Sequence, residues 1–187
     1  MITKRKLHLI GIALVLISCN KPNMQKTIID KKDTIKENTI SENKPTLPAN
    51  LFTLSDAEKI MGEKAELKDS SSSSNGNITR YQCSYLAIET DKESKKTGVV
   101  YFLLQDYNHL DSASIYYKFI MTANKDHGIE ERNDLGDEAY FHTAKKNFYF
   151  IMVRKGKKVF NMKVNKITSH TSLDEFNKVA KKITDTI

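Results

Sequence analysis

Tryptophan is absent from the 187 residues, and only seven glycines, three prolines and two cysteines are present. So little glycine and proline excludes collagen-like and proline-rich architectures. No two of Gly62, Gly76, Gly98, Gly128, Gly136 and Gly156 stand close enough for a G-x-G-x-x-G or P-loop cradle, which removes nucleotide binding by the common routes. The G-x-S-x-G elbow and the H-E-x-x-H zinc motif are missing too. His109, His127, His142 and His170 form no pair at helical spacing, whereas a zinc site needs three or four converging ligands. Asp106 and His109 could share a helical face, but one such pair makes no site. The acidic run at 130–138 departs from the oxygen spacing of an EF-hand loop. No metal or cofactor is expected. Long apolar runs are lacking as well. The best one, residues 7–17 interrupted by His8 and Gly11, would span about 16 Å as a helix, roughly half a bilayer core.

What is there begins with charge. The chain carries a formal +7 with a pI near 9.2, which invites an acidic partner until the charge is divided. Lys4, Arg5 and Lys6 place +3 in the first 18 residues, and six lysines against Asp30, Asp33, Glu37 and Glu42 place +2 in residues 19–50. Only +2 is left for residues 51–187. A phosphate-tracking surface needs its charge on the folded domain, so nucleic acid is not an expected partner.

The basic start, the apolar stretch and the following Leu16-Ile17-Ser18-Cys19 make a secretory signal. The last four residues resemble the bacterial lipobox, with an aliphatic residue at −3, small Ser18 at −1 and the obligatory cysteine at +1. That resemblance implies cleavage between Ser18 and Cys19 and diacylglycerol on the Cys19 thiol, with palmitate-type acylation. Two or three acyl chains anchor stably, since each buried methylene contributes about 0.8 kcal/mol. Asn20 stands where an aspartate would resemble an inner-membrane retention signal, so the expected location is the outer membrane, facing the periplasm. With Cys19 acylated, Cys83 has no cysteine left to pair with, and the domain must stabilise itself by burial. At 39% apolar and 28% charged residues the composition permits that.

Residues 19–50 are polar, carry Pro22, Pro45 and Pro48, and show no sustained period, so they read as a flexible tether of roughly 30 Å mean reach. The domain is expected over 51–187. Ser55 and Glu58 predict a capping box for a short helix over 56–61 that stops at Gly62. Residues 70–77, five serines and Asn-Gly-Asn, read as a loop. Tyr81, Cys83, Tyr85 and Ala87 alternate as one face of a strand. Residues 91–98 read as a charged turn, and 99–104 as a central strand covered on both faces. Asp111 is expected to cap a helix reaching about residue 123 with Ile115, Phe119 and Ile120 buried. After an acidic loop at 126–138, strands at 148–153 and 159–164 flank a turn containing Gly156. The last helix begins at Ser172, with Glu175 closing a second capping box and Leu173, Phe176, Val179, Ala180 and Ile183 as its stripe. The expected class is α+β, a mostly antiparallel sheet of about five strands covered by two or three amphipathic helices.

Two features are candidates for function. Residues 145–166 carry eight basic side chains and no acid, opposite the acidic 126–138 stretch. Either the two runs satisfy each other, or Arg154, Lys155, Lys157 and Lys158 form an interaction surface for anionic headgroups or an acidic protein. Cys83 is the one candidate thiol nucleophile, but its apolar strand face suits a small core residue better.

The run from Leu135 through Gly136, Asp137 and Glu138 to Phe141, followed by the strand that ends at Arg154, Lys155 and Gly156, resembles small bacterial envelope lipoproteins of uncharacterised function. Their globular part is similar to PsbP-like α+β sandwiches. The resemblance covers about the last sixty residues plus the lipobox and transfers no catalytic residue. The expected function is a non-catalytic, membrane-anchored binding module for an envelope protein, in an accessory or immunity-type role. The alternatives are a periplasmic binder of a lipid or small ligand in a pocket between helices and sheet, and a thiol enzyme using Cys83.

Overall fold

In the computed structural model the described residues are Pro48, 51–144 and 147–187. Ser18, Cys19, the signal sequence and all of the tether except Pro48 lie outside them, as do Lys145 and Lys146 of the basic run.

Leu51 and Phe52 enter the core ahead of the first helix, α1 (Leu54–Met61). Its cap is Thr53, not Ser55. The Asp56 N–H donates to Thr53 Oγ1 at 3.2 Å and the Thr53 N–H donates to Asp56 Oδ2 at 2.8 Å. The sequence holds two overlapping capping boxes, and the one used lets Asp56 also accept from Lys182 at 2.7 Å, which Glu58 does not do. Gly62 ends the helix at φ +70°, and a Cβ there would stand 2.3 Å from the His170 carbonyl oxygen.

The serine run is a strand and not a loop. β1 (Ala65–Ser74) pairs antiparallel with β2 (Ile78–Ala87), from Ala65 opposite Ala87 to Ser74 opposite Thr79. Only Asn75-Gly76-Asn77 turns, with Asn75 Oδ1 accepting from the Asn77 and Ile78 N–H groups. An edge strand pairs through its backbone, and where both of its faces are wet no apolar alternation marks it. β3 (Val99–Tyr107) buries Val100, Phe102 and Leu104 on one face, but Tyr101 on the other is 38% exposed, so coverage on both faces fails at its middle.

The second helix, α2 (Leu110–Asn124), is turned relative to expectation. Ala113 and Tyr117 are buried, while Ile115 and Phe119 are 70% and 69% exposed. Ile120 is half-buried and remains on the sheet side. Small Ala113 lets the helix approach the sheet, and Tyr116 and Tyr117 then meet Tyr107 and Tyr140 at ring separations of 5.8 and 5.9 Å. Its cap position is His109, without a side-chain bond, and Asp111 lies in the first turn.

A single 3-10 turn (Lys125–His127) leads to the short edge strand β4 (Glu130–Arg132), inside the stretch expected to be loop, and then to β5 (Glu138–Thr143). β6 (Phe148–Lys155) and β7 (Lys158–Asn165) form the expected hairpin around Gly156 and Lys157. In α3 (Leu173–Thr186), Ser172 Oγ accepts from the Glu175 N–H. The Glu175 carboxylate bonds Lys178 instead of closing the box. Phe176, Val179, Ala180 and Ile183 are buried as expected, whereas Leu173 is 37% exposed.

The seven strands run β1-β2-β3-β7-β6-β5-β4, every neighbouring pair antiparallel. The α+β class holds, with two more strands than expected. α1 and α3 close one face over Phe102, Ile151, Phe160 and Met162. α2 covers part of the other, over Tyr107, Tyr140, Met152 and Val159. No helix among the described residues is long and apolar enough to cross a membrane.

Candidate binding corner

The two charge runs meet. β5 and β6 are paired so that Glu138 lies opposite Arg154. The Arg154 side chain is 11% exposed and donates Nε–H to Glu138 Oε2 at 2.5 Å. Its Nη1 donates to Asp137 Oδ2 at 2.8 Å and to the Gly156 carbonyl at 3.0 Å. Asp137 Oδ2 also accepts from the Gly156 N–H, and the Asp137 N–H donates to the Arg154 carbonyl, both at 2.8 Å. Gly136 makes this possible. Its φ is +58°, and a Cβ there would stand 2.4 Å from the Arg154 carbonyl oxygen, so only glycine lets the loop lie on the hairpin.

Of the four basic residues singled out as an interaction surface, Arg154 is thus held inside the fold. Lys155 donates to the Thr184 carbonyl at 2.8 Å, capping the open end of α3. Lys157 is 53% exposed and pairs loosely with Asp106 at 3.5 Å. Lys158 is half-buried beside the turn. The hairpin therefore offers Lys157 and Lys158 to the outside and spends its other two cations on the fold.

Next to this network lies a cleft of about 220 Å³. It is lined by Tyr117 and Met121 of α2, Glu131 of β4, Leu135 of the β4–β5 connection, and Glu138 and Ala139 of β5. Arg132, at the rim, is committed elsewhere. Its Nε and Nη2 grip Asp134 at 2.8 and 2.7 Å, and its Nη1 reaches Asn177 of α3 at 3.2 Å. The hydrogen bond from Arg132 holds the Asp134 carboxyl below its usual range. Tyr117 differs from the other lining groups. It is 4% exposed, and among the described residues its hydroxyl has no hydrogen-bond partner. Burial, followed by the charges of Glu138 and Glu131, pushes its pKa far above the ordinary value, so the hydroxyl is neutral at any physiological pH.

A second shallow concavity, also about 220 Å³, lies on the open sheet face between Asp69, Gln82, Tyr101 and Asn161. Cys83 borders it but is itself 6% exposed, and burial followed by the charge of Asp69 raises its thiol to about 11. A thiol so placed is protonated at neutral pH. Among the described residues no histidine hydrogen-bonds or ion-pairs with it. His109 starts α2, His127 lies in the 3-10 turn, His142 stacks near Phe148, and His170 stands 3.8 Å from Asp91. No group of His, Cys, Asp and Glu among the described residues is arranged to hold a metal ion.

Two polar groups escaped the sequence reading. Tyr117 was hidden by the more apolar Ile115 and Phe119 on the same helix. Asp91, in a turn that looked solvated, is 5% exposed and accepts from Glu93, Ser94 and Ser169, tying the β2–β3 connection to the segment before α3. Its only local signal is Asp91 placed two and three residues before N–H donors, the pattern of an Asx turn.

No protein-family model, curated protein or solved structure matches the chain.

Proposed function

We propose that the chain is a non-catalytic binding module of the bacterial envelope. In this reading Ser18–Cys19 is the cleavage site, acylated Cys19 anchors the protein to the outer membrane facing the periplasm, and the domain holds a protein partner in an accessory or immunity-type role. The observation that carries the reading is the corner where α2, β4, β5 and the β6–β7 turn converge. It presents both signs of charge, Lys157 and Lys158 on the β6–β7 turn with Asp137 bonded to that turn, and Glu131 on the edge strand β4. Patches of opposite sign fix the register of a partner and speed its capture.

The alternative of a stored lipid or metabolite is less well supported. The space under α1 and α3 is filled by Ala57, Ile60, Phe176, Ala180 and Ile183, each 0% exposed. The cleft under α2, about 220 Å³, falls below the roughly 300–1,000 Å³ of small-molecule sites. The two larger concavities beside Gly62, about 420 Å³ each, are lined mostly by charged side chains such as Glu63 and Lys64 and not by the apolar walls such sites use. The buried, protonated Cys83 weighs against a thiol enzyme.

The test is a cross-linked pull-down of the full-length lipidated protein from native envelopes, identified by mass spectrometry and repeated with a Lys157→Glu/Lys158→Glu variant. Lys155 is left intact because it caps α3. One near-stoichiometric protein that survives high salt, and is recovered several-fold less well by the variant, is the expected result. Recovery of abundant porins alone, at background level, would overturn the reading.

A further inference from the structure

We propose that the outward face of α2 is the contact of a weak two-fold dimer, covered by the same helix of a second copy running antiparallel. The inference goes beyond the binding-module reading and does not depend on it.

Ile115 and Phe119 stand one helical turn apart on this face and are 70% and 69% exposed, more than any other large apolar side chain of the described residues. An apolar pair of this kind on a regular helix marks a surface that another molecule covers. The charges beside it indicate which molecule. Asp111, Lys118 and Lys125 recur every seven residues, so they line one edge of the apolar pair. Lys125 keeps a helical backbone at φ −58° and ψ −32°, so the spacing carries through to it. All three are exposed, and no ion pair or hydrogen bond of the described residues uses their side chains.

An antiparallel copy seated with its Phe119 on Ile115 and its Ile115 on Phe119 brings Asp111 beside Lys125 of the second copy at both ends. A parallel copy would set aspartate against aspartate and lysine against lysine. Lys118 faces itself across the two-fold axis, which weakens the pairing. Size weakens it further. A helix of 15 residues is about 22 Å long, and its one face covers far less than the roughly 800 Å² per partner of a stable interface. The dimer is therefore reversible, and Ile115 and Phe119 stay wet in dilute protein.

The test is sedimentation equilibrium of the full-length protein in density-matched detergent, over a range of protein concentrations with micelles in excess. A reversible monomer–dimer equilibrium is expected. Each substitution removes its contact twice, so Phe119→Ser should weaken the dimer by about tenfold or more, and Asp111→Lys by several-fold. Asp111→Lys/Lys125→Asp should restore it, since the exchanged charges meet again. Lys118→Gln should tighten the dimer by a few-fold, because a two-fold axis sets this side chain against its own copy. A monomer at every concentration, a dimer indifferent to Phe119→Ser, or a Lys118→Gln dimer no tighter than wild type would each overturn the proposal. A wild type that stays monomeric while Phe119→Ser loses a protein in the pull-down would also overturn it, and would give the face to that protein.

Discussion

The two faces of the sheet are built differently. Under α1 and α3 the layer is apolar and sealed, with Val100, Ile151, Met162, Phe176 and Ile183 at 0% exposure. Under α2 the layer is rich in tyrosine, with Tyr107, Tyr117 and Tyr140 around Met152 and Val159, and beyond the helix Tyr101 meets solvent. Width explains the difference. Strands lie about 4.8 Å apart, so a helix about 10 Å across covers roughly two of them. Two helices seal the central strands, whereas one leaves margins. A margin lined by tyrosine keeps hydroxyls at its boundary, and the partnerless hydroxyl of Tyr117 lies at such a boundary. The sealed face is closed to solvent, and the half-covered face keeps an open, polar margin.

The comparison can be broken at three depths. Phe176→Ala, in the sealed layer, should cost about 3–5 kcal/mol, the range for removing a buried aromatic ring, and chemical denaturation would read it directly. A loss below about 1 kcal/mol would mean that the layer is not sealed. Asp56→Asn should cost about 1–2 kcal/mol through loss of the cap and of the Lys182 contact, and its effect should depend on pH. Burial alone would raise the Asp56 carboxyl, but hydrogen bonds from Lys182 and Thr53 hold it below its ordinary 3.8. The stabilisation is therefore complete at neutral pH and lost as pH falls through the depressed value. The gap between wild type and variant should close below about pH 4, and a gap of constant size would assign the loss to packing. The smallest effect is expected from Ile115→Ser/Phe119→Ser, within about 0.5 kcal/mol for each site, since both side chains already face solvent. A thermal midpoint lowered as far as that of Phe176→Ala would place α2 in the orientation its sequence suggested.

The sealed face was largely legible in the amino-acid order. Phe176, Val179, Ala180 and Ile183 recur at helical spacing, and Tyr81, Cys83 and Tyr85 alternate at strand spacing, because a one-sided environment imposes one period. α2 was not legible, because it carries apolar residues all round. Ile115 and Phe119 outweigh Ala113 and Tyr117 on any hydrophobic scale, and only the sheet beneath decides which pair is buried. β1 was missed for the opposite reason. Ser70 to Ser74 have no apolar member, and their strand state comes from register with β2, which a local reading does not contain. The meeting of the acidic and basic runs was foreseen as a possibility. That Arg154 and Lys155 would be consumed by it depended on cross-strand register and on the end of α3.

The sheet also has a seam. β1, β2 and β3 follow one another in the chain, as do β4, β5, β6 and β7, and the two groups join only where β3 lies beside β7. Along that line Val99 meets Asn165 and Asp106 meets Lys158, partners more than fifty positions apart in the chain. Each meander can zip from its own turns within microseconds, but the seam must first close a long loop. Closing the seam is then the slow step of folding. Until it closes, the facing edges of β3 and β7 stand unpaired beside the outer edge of β1, and the folding chain exposes all three to its neighbours.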